Sequence, residues 1–286
     1  MCGKKDVTHY ISTKDYFLTH ESFDLVQCSH CGLIRTNPFP DSSSMNSYYV
    51  SKDYVSHSDD TQGFVNSLYA IVKKYSLKKK FQLIKKHSDG KTLIDYGCGS
   101  GDLVNYALSY GWKAMGYDSS KIAREASFKK YGIDIQHPDK LMDLPPTSID
   151  TITLWHVLEH VENPASLLST FRNILKDKGC LFIAVPNVNS YDARFYKSFW
   201  AALDVPRHLY HFNLNTLTRF CEKEGFKIIQ SKGMIFDSFY VSLLSEKYLN
   251  SRIKYLRSPI IGLISNSLAF FNHKNYSSIL VILQKQ

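Results

Sequence analysis

Apolar and polar positions beyond residue 90 alternate between two periods. Short β-prone apolar runs stand at 92–94, 112–117, 150–155 and 181–185. The stretches between them carry helical spacing, which predicts helices near 101–110, 120–131, 163–177 and 214–224. Asn163-Pro164 supplies a helix entry, because a proline there lacks only an N–H that would find no intrahelical partner. Gly179, Gly225 and Gly233 punctuate the chain beyond that helix. Strands alternating with helices predict an α/β, doubly wound, mostly parallel sheet. The first 60 residues lack this rhythm. They hold a strand-like run at 22–27, flanked by Cys2-Gly3 and Cys28-Ser29-His30-Cys31-Gly32, then Asn37-Pro38-Phe39-Pro40 and the tyrosines Tyr48, Tyr49 and Tyr54. From about 62 to 86 an amphipathic helix is expected, with Phe64, Leu68, Ile71, Val72, Tyr75, Phe81 and Ile84 as its apolar positions. The chain therefore divides into a small cysteine-containing module (1–60), a linking basic helix (61–90) and a large α/β domain (91–286).

The most informative junction is Leu93-Ile94-Asp95-Tyr96-Gly97-Cys98-Gly99-Ser100-Gly101-Asp102. A buried strand passes into a helix through a glycine loop, where a ligand can lie against bare backbone. The position of the last glycine in a dinucleotide fingerprint holds Asp102, so the pyrophosphate pattern is not met and an NAD enzyme is disfavoured. The strand at 112–117 ends on Asp118, a carboxylate placed to accept both hydroxyls of a ribose beside the loop.

With Leu154-Trp155-His156-Val157-Leu158-Glu159-His160-Val161 following the strand at 150–155, residues 90 to 286 resemble the class I S-adenosylmethionine-dependent methyltransferases, above all the ubiquinone-biosynthesis-type group. The resemblance implies a seven-stranded sheet closed by an antiparallel edge strand, for which 277–283 has the β-branched composition. It implies S-adenosylmethionine as cofactor, held by Asp95, Gly97, Cys98, Gly99, Gly101, Asp118, Ser119 and His156. Glu159 and His160, on the turn beyond, read as a structural hydrogen-bonding pair. Relatives that methylate ring or amide nitrogens carry Asn or Asp, then Pro-Pro-Tyr or Phe, in this place; its absence favours an O- or C-methyltransferase.

Composition fits such an enzyme. A chain of 286 residues, 44% hydrophobic and 14% aromatic, can bury one large core and an appendage. The amino-terminal twenty residues are polar and charged, unlike a signal peptide, and the longest apolar stretch, 259–271, is broken by Ser265, Asn266 and Ser267, so a cytoplasmic protein without a transmembrane segment is expected. Six irregularly spaced cysteines should stay reduced. The formal net charge of +9 is concentrated in Lys73, Lys74, Lys78, Lys79, Lys80, Lys85 and Lys86. These read as the solvated face of the linking helix, with an anionic partner or peripheral membrane contact as the other reading. No nucleic-acid-binding module accompanies them, so nucleic acid is disfavoured as a partner.

Cys28-x-x-Cys31-Gly32 has the form of a zinc knuckle, in which two thiolates reach one metal. Similar methyltransferases carry a four-cysteine module here. Cys2-Gly3 matches the second half of a first knuckle, so Cys2, Cys28 and Cys31 are candidate zinc ligands, His9, His20 or His30 could replace the missing one, and an upstream cysteine is expected in the natural chain.

Acceptor chemistry points to the run from Trp200 to Phe212. Arg207 could clamp an anionic group, and His208 or His211 could take a proton, while Tyr191, Phe195, Tyr196, Phe199 and Trp200 wall out water. The expected activity is methyl transfer to an O or C atom of a small polar acceptor: a glycan precursor, sugar nucleotide or lipid-linked intermediate. An RNA methyltransferase and a non-catalytic cofactor-binding scaffold are the alternatives. The oligomeric state is not legible.

Overall fold

A computed structural model describes residues 2–40, 45–49, 64–271 and 275–286. Tyr54, the start of the linking helix at 62 and the division at 60/61 lie outside the described residues, as do the side chains of Phe64, Leu68 and Ile71.

The large sheet contains β4 (Thr92–Tyr96), β5 (Lys113–Tyr117), β6 (Ile149–Trp155), β7 (Leu175–Pro186), β9 (Phe226–Gly233) and β10 (Ser278–Lys285), in the order β5-β4-β6-β7-β10-β9. Strands β5, β4, β6 and β7 pair in parallel, and β10 is antiparallel to both neighbours as the resemblance implies, but it does not close the edge: it lies between β7 and β9, and β9 is the edge strand. Among the described residues the sheet has six strands where seven were expected. The seventh position is reduced to one parallel bridge between Tyr117 and Gln136. The reason is local: the segment is confined between Gly132, which ends a helix at φ 70°, and Pro138, which has no N–H to extend a ladder.

The side-chain period of two assigns the faces. Ile94, Ile152, Leu154, Leu181, Ile183 and Val281 meet α4 (Pro164–Ile174) and α6 (Leu214–Lys223) through Phe171, Leu217 and Phe220. Leu93, Phe182, Ala184, Leu280 and Ile282 meet α1 (Phe64–His87) and α2 (Asp102–Ser109) through Phe81, Ile84, Leu103 and Ala107. Sheet strands covered on both faces explain the near-continuous apolar runs. Helix α3 (Lys121–Tyr131) begins on the Ser120 cap, and α4 on the Asn163 cap with Pro164 in its first turn. Lys74, Lys78, Lys79, Lys85 and Lys86 face water on α1, as expected, and Tyr75, expected inside, is 48% exposed.

The amino-terminal module is an antiparallel meander of β1 (Val7–Lys14), β2 (Ser22–Cys28) and β3 (Ile34–Asn37). Its sheet is completed by β8 (Tyr210–His211), contributed by the large domain. The run from 200 to 212 is therefore a docking element, packed through Trp200, Val205 and Leu203 against Phe23, Leu25 and Ile34. After the short helix α5 (Tyr191–Tyr196), two helices, α7 (Asp237–Tyr248) and α8 (Lys254–Phe271), are inserted between β9 and β10. No helix among the described residues is long and apolar enough to cross a membrane.

Candidate cofactor and acceptor site

The glycine loop follows β4 at the carboxyl end of the parallel strands, the end at which open α/β sheets bind ligands. Its glycines have different work. A Cβ at Gly97 (φ 69°) would stand 2.3 Å from Val157 Cγ2, so this glycine packs the loop on the turn after β6. A Cβ at Gly99 (φ 54°) would meet nothing within 4 Å, which leaves an open backbone surface beside the loop amides. Gly101 (φ 74°) opens α2, packed against Ser127. Asp118 closes the cradle from β5: its Oδ2 accepts from Gly99 N–H at 2.8 Å and its Oδ1 from Ser120 N–H at 2.9 Å. Ser119 lies between these anchors, its carbonyl accepting from Arg124 at 2.8 Å.

Beneath the loop, Asp95 is 4% exposed and accepts from the Thr153 hydroxyl at 2.6 Å. Burial pushes its carboxyl up to about 6, against the pull of Thr153 and Lys80. Burial also raises the Cys98 thiol, which keeps that sulfur protonated. His156 stands just beyond β6 at φ 58°, its Nε2 3.0 Å from Asp237 and its Nδ1 3.5 Å from Glu159. Burial alone would lower its pKa, but the two carboxylates outweigh it and raise it to about 9. Lys80 was missed in the sequence because it belongs to a lysine-rich helix face. It turns inward instead, with Nζ 4.2 Å from the centre of the Trp155 ring, and its charge is felt at Asp95 and Asp237. An open face at Gly99, a pinned acidic group at Asp118, a buried carboxylate at Asp95 and a half-buried imidazole at His156 fit an adenosine-bearing, zwitterionic ligand. A cleft of about 660 Å³ beside Leu141, Arg172 and Lys285 lies at the amino ends of the parallel strands, away from these groups.

Two expectations for the 204–211 run need correction. Arg207 is 1% exposed and its five N–H donors are engaged. Nε and Nη2 reach Asp204 Oδ1 at 2.9 and 2.6 Å, Nη2 and Nη1 reach Asp15 at 2.7 and 3.3 Å, and Nη1 reaches Tyr48 O at 3.2 Å. It has no donor left for an acceptor anion. His211, 4% exposed, has its Nε2 on the Thr36 hydroxyl at 3.0 Å, and burial lowers its pKa well below the ordinary value; it joins β8 to β3.

His208 is held differently. Its Nδ1 lies 2.9 Å from Ala202 O, to which an Nδ1–H donates, and its Nε2 faces Asp204 Oδ2 at 3.9 Å. His160 repeats the pattern, with Nδ1 3.0 Å from Arg207 O and 3.1 Å from the Tyr49 hydroxyl, and the two rings meet edge to face at 4.5 Å. Burial, reinforced by His208, lowers the His160 pKa to about 4. Glu159 is 1% exposed; among the described residues its carboxylate makes the 3.5 Å ion-pair contact with His156 and no hydrogen bond to His160, so the expected Glu159–His160 bond is not formed. The two share another arrangement: Glu159, His160 and His208 each place one ligand-type atom within 4.8 Å of the others. The turn and the loop are tied by Leu209 N–H to Glu159 O at 2.8 Å.

In the module, Cys2, Cys28 and Cys31 come together, with Cys2 Sγ 3.5 Å from Cys28 Sγ. Amides of the knuckle, that of Cys31 first, lower the Cys28 thiol to about 7, and burial pushes Cys31 up to about 11. The three sulfurs have the donor chemistry and spacing for zinc. His9 and His30 are turned elsewhere, towards Asp24 and Asp6.

The profile of a methyltransferase domain matches residues 69–231. A ubiquinone biosynthesis O-methyltransferase from Idiomarina loihiensis is 28% identical over 181 residues, covering 57% of this chain and 74% of that protein. Another from Neisseria meningitidis serogroup C is 26% identical, covering 55% and 73%. Among solved structures, magnesium protoporphyrin IX methyltransferase from Synechocystis PCC 6803, with bound SAH, shares the fold at TM-score 0.54 and 15% identity, covering 86% of this chain and 100% of that one. A SAM-dependent methyltransferase from Archaeoglobus fulgidus does so at TM-score 0.52 and 18% identity, covering 74% and 94%. With the glycine cradle at the carboxyl end of β4 and a family match over more than half its length, this chain belongs to the methyltransferase domain family and is an S-adenosylmethionine-dependent methyltransferase.

Proposed function

We propose that this enzyme methylates a hydroxyl oxygen of a small polar acceptor, with one imidazole of the His160–His208 pair as the base. The observation that carries this reading is the paired geometry of those rings, each with Nδ1 on a backbone carbonyl, so that Nε2 is the nitrogen turned towards proton transfer. S-adenosylmethionine, when bound by the loop, Asp118, Ser119, Asp95 and His156, supplies an activated methyl on sulfur. The protein's own work is then to hold the acceptor oxygen in line, exclude water and accept the hydroxyl proton at Nε2. The carboxylate of Glu159 is within reach to offset the imidazolium charge that results. The O-methyltransferase names of the relatives support oxygen as the target, and a glycan precursor, sugar nucleotide or lipid-linked intermediate remains the acceptor class this reading favours. A screen of metabolite fractions with methyl-labelled donor tests it: label in a base-labile or ether-linked O-methyl product supports the reading, and label confined to nitrogen or to RNA overturns it.

A separate observation, the three converging sulfurs, supports a second proposal: Cys2, Cys28 and Cys31 hold a structural zinc that orders the meander against the catalytic domain.

A further inference from the structure

Helix α8 has its polarity inside out. Its buried face is small and partly hydroxylic: Ser258, Gly262, Ser265 and Ala269, with Ile261 as the one large member. That face lies on the serines of α7, where Ser238 Oγ donates to Gly262 O at 3.2 Å and Ser242 and Ser245 are fully buried. Gly262 is required for the approach, since a Cβ there would stand 2.6 Å from Phe239 Cδ1. The outward face, continued back to Ile253 just before the helix, carries Leu256, Ile260, Leu263, Leu268 and Phe271, and of these Leu256, Leu263 and Phe271 are 66%, 61% and 82% exposed. Steps of three and four link Ile253, Leu256, Ile260 and Leu263, and Leu268 and Phe271 carry the apolar face on beyond exposed Ser267 to the end of the 18-residue helix. A contiguous exposed apolar stripe of this kind marks a contact surface, whereas single exposed leucines do not.

The chemistry of the stripe narrows what covers it. Protein partners form about one hydrogen bond per 100–200 Å² of interface, and the six stripe side chains offer none. A bilayer interface requires none. Charge agrees: from Leu249 to Gln286 the sequence contains no Asp or Glu, while Arg252 and Lys254 stand at the amino end of α8. An apolar face with two cations at its amino end, on a helix too short of apolar length to cross, is the form of a helix that lies in the headgroup region of an anionic membrane. Tight packing through small residues between α7 and α8 leaves their large side chains for the outside, as in helix pairs that meet lipid. The orientation has a functional sense, because α7 starts at Asp237, the residue bonded to His156 in the cofactor site.

We propose that α8 docks this enzyme on the surface of a bilayer containing anionic phospholipid. The inference is independent of the acceptor's identity. It is tested with the full chain and vesicles of phosphatidylcholine containing about 30 mol% phosphatidylglycerol, a charge density at which basic residues contribute measurably. The parent protein should float with these vesicles and bind pure phosphatidylcholine at least tenfold more weakly. L263E/F271E should abolish flotation, and R252A/K254A should weaken it about ten- to thirtyfold. Both variants should bind S-adenosylhomocysteine as the parent does, which reports an intact fold. Absence of parent flotation, or flotation unchanged in L263E/F271E, overturns the proposal. So does a parent dimer that ignores vesicles and dissociates in L263E/F271E, which would assign the stripe to a second copy.

Discussion

Arg207 Nη2 and Asp15 Oδ1 stand 2.7 Å apart, joining the loop before β8 to the turn after β1 across 192 residues of sequence. Both side chains are buried, at 1% and 0% exposure. Asp15 also accepts from the N–H groups of Phe17, Leu18 and Thr19, so one carboxylate organises the module's first turn and fixes it to the catalytic domain. Burial opposes the charge on Asp15, but Arg207 and these amides outweigh it and hold the carboxyl below its usual range.

Breaking that pair should cost stability and not acceptor binding. R207A strands a buried carboxylate and should destabilise the protein by about 3–5 kcal/mol, and R207K should recover little, because an ammonium cannot span both carboxylates. Denaturant unfolding of R207A, D15A and the double variant should show strong non-additivity between the two sites. Additive losses, or an R207A protein of parent stability with a raised acceptor KM, would return Arg207 to the anion-binding role.

The imidazole pair and His211 should separate kinetically. H160A and H208A should bind S-adenosylhomocysteine like the parent, and whichever removes the base should lower kcat about 10²-fold or more. H211A should lower the melting temperature while leaving kcat of the folded enzyme near the parent value. Two pair variants that turn over at the parent rate would exclude an imidazole base.

The His156–Asp237 contact sets a pH dependence. Folded His156 keeps its proton up to about 9, whereas unfolded it does so only to its ordinary 6.5. The contact therefore contributes fully below pH 6.5, and that contribution is lost as pH rises from there through about 9. The melting-temperature difference between parent and D237N should be largest in mildly acidic buffer and should shrink across that window. A difference that grows with pH would contradict the assignment.

Elemental analysis of the protein purified without chelator should find about one zinc per chain, lost in C28S/C31S together with protease resistance of residues 2–40. A metal-free parent with an equally resistant module would leave the cysteines as free thiols.

Periodicity and local spacing account for the parts of the fold that were legible in the sequence. Short apolar β-prone runs placed β4, β5 and β6 to within a few residues, β10 followed from the family resemblance and its β-branched composition, and the glycine loop and Asp118 were recognisable because their chemistry depends on local spacing. Arg207 was visible as a charge, but nothing local reveals a partner as distant as Asp15. Tyr210–His211 is too short for a period, so its pairing with Ile34 and Arg35 could not be foreseen. Lys80 looked like its neighbouring lysines, yet one helical step separates it from buried Phe81 and turns it over Trp155. In α8 the apolar stretch 259–271 was visible, but a broken apolar run does not tell which face is buried; the serines and Gly262 took the inside.

The cradle between Gly99 and Asp118 is tested most directly by calorimetric titration of S-adenosylhomocysteine into the parent, D118A and G99V. The parent should bind one equivalent. D118A loses both the anchor of the Gly99 amide and the acceptors for ribose hydroxyls, and should bind about ten- to a hundredfold more weakly. G99V should bind more weakly still, because its side chain projects into the open face and the backbone there has φ 54°. Unchanged affinity in both variants, with native melting behaviour, would contradict a methyl-donor site at this loop.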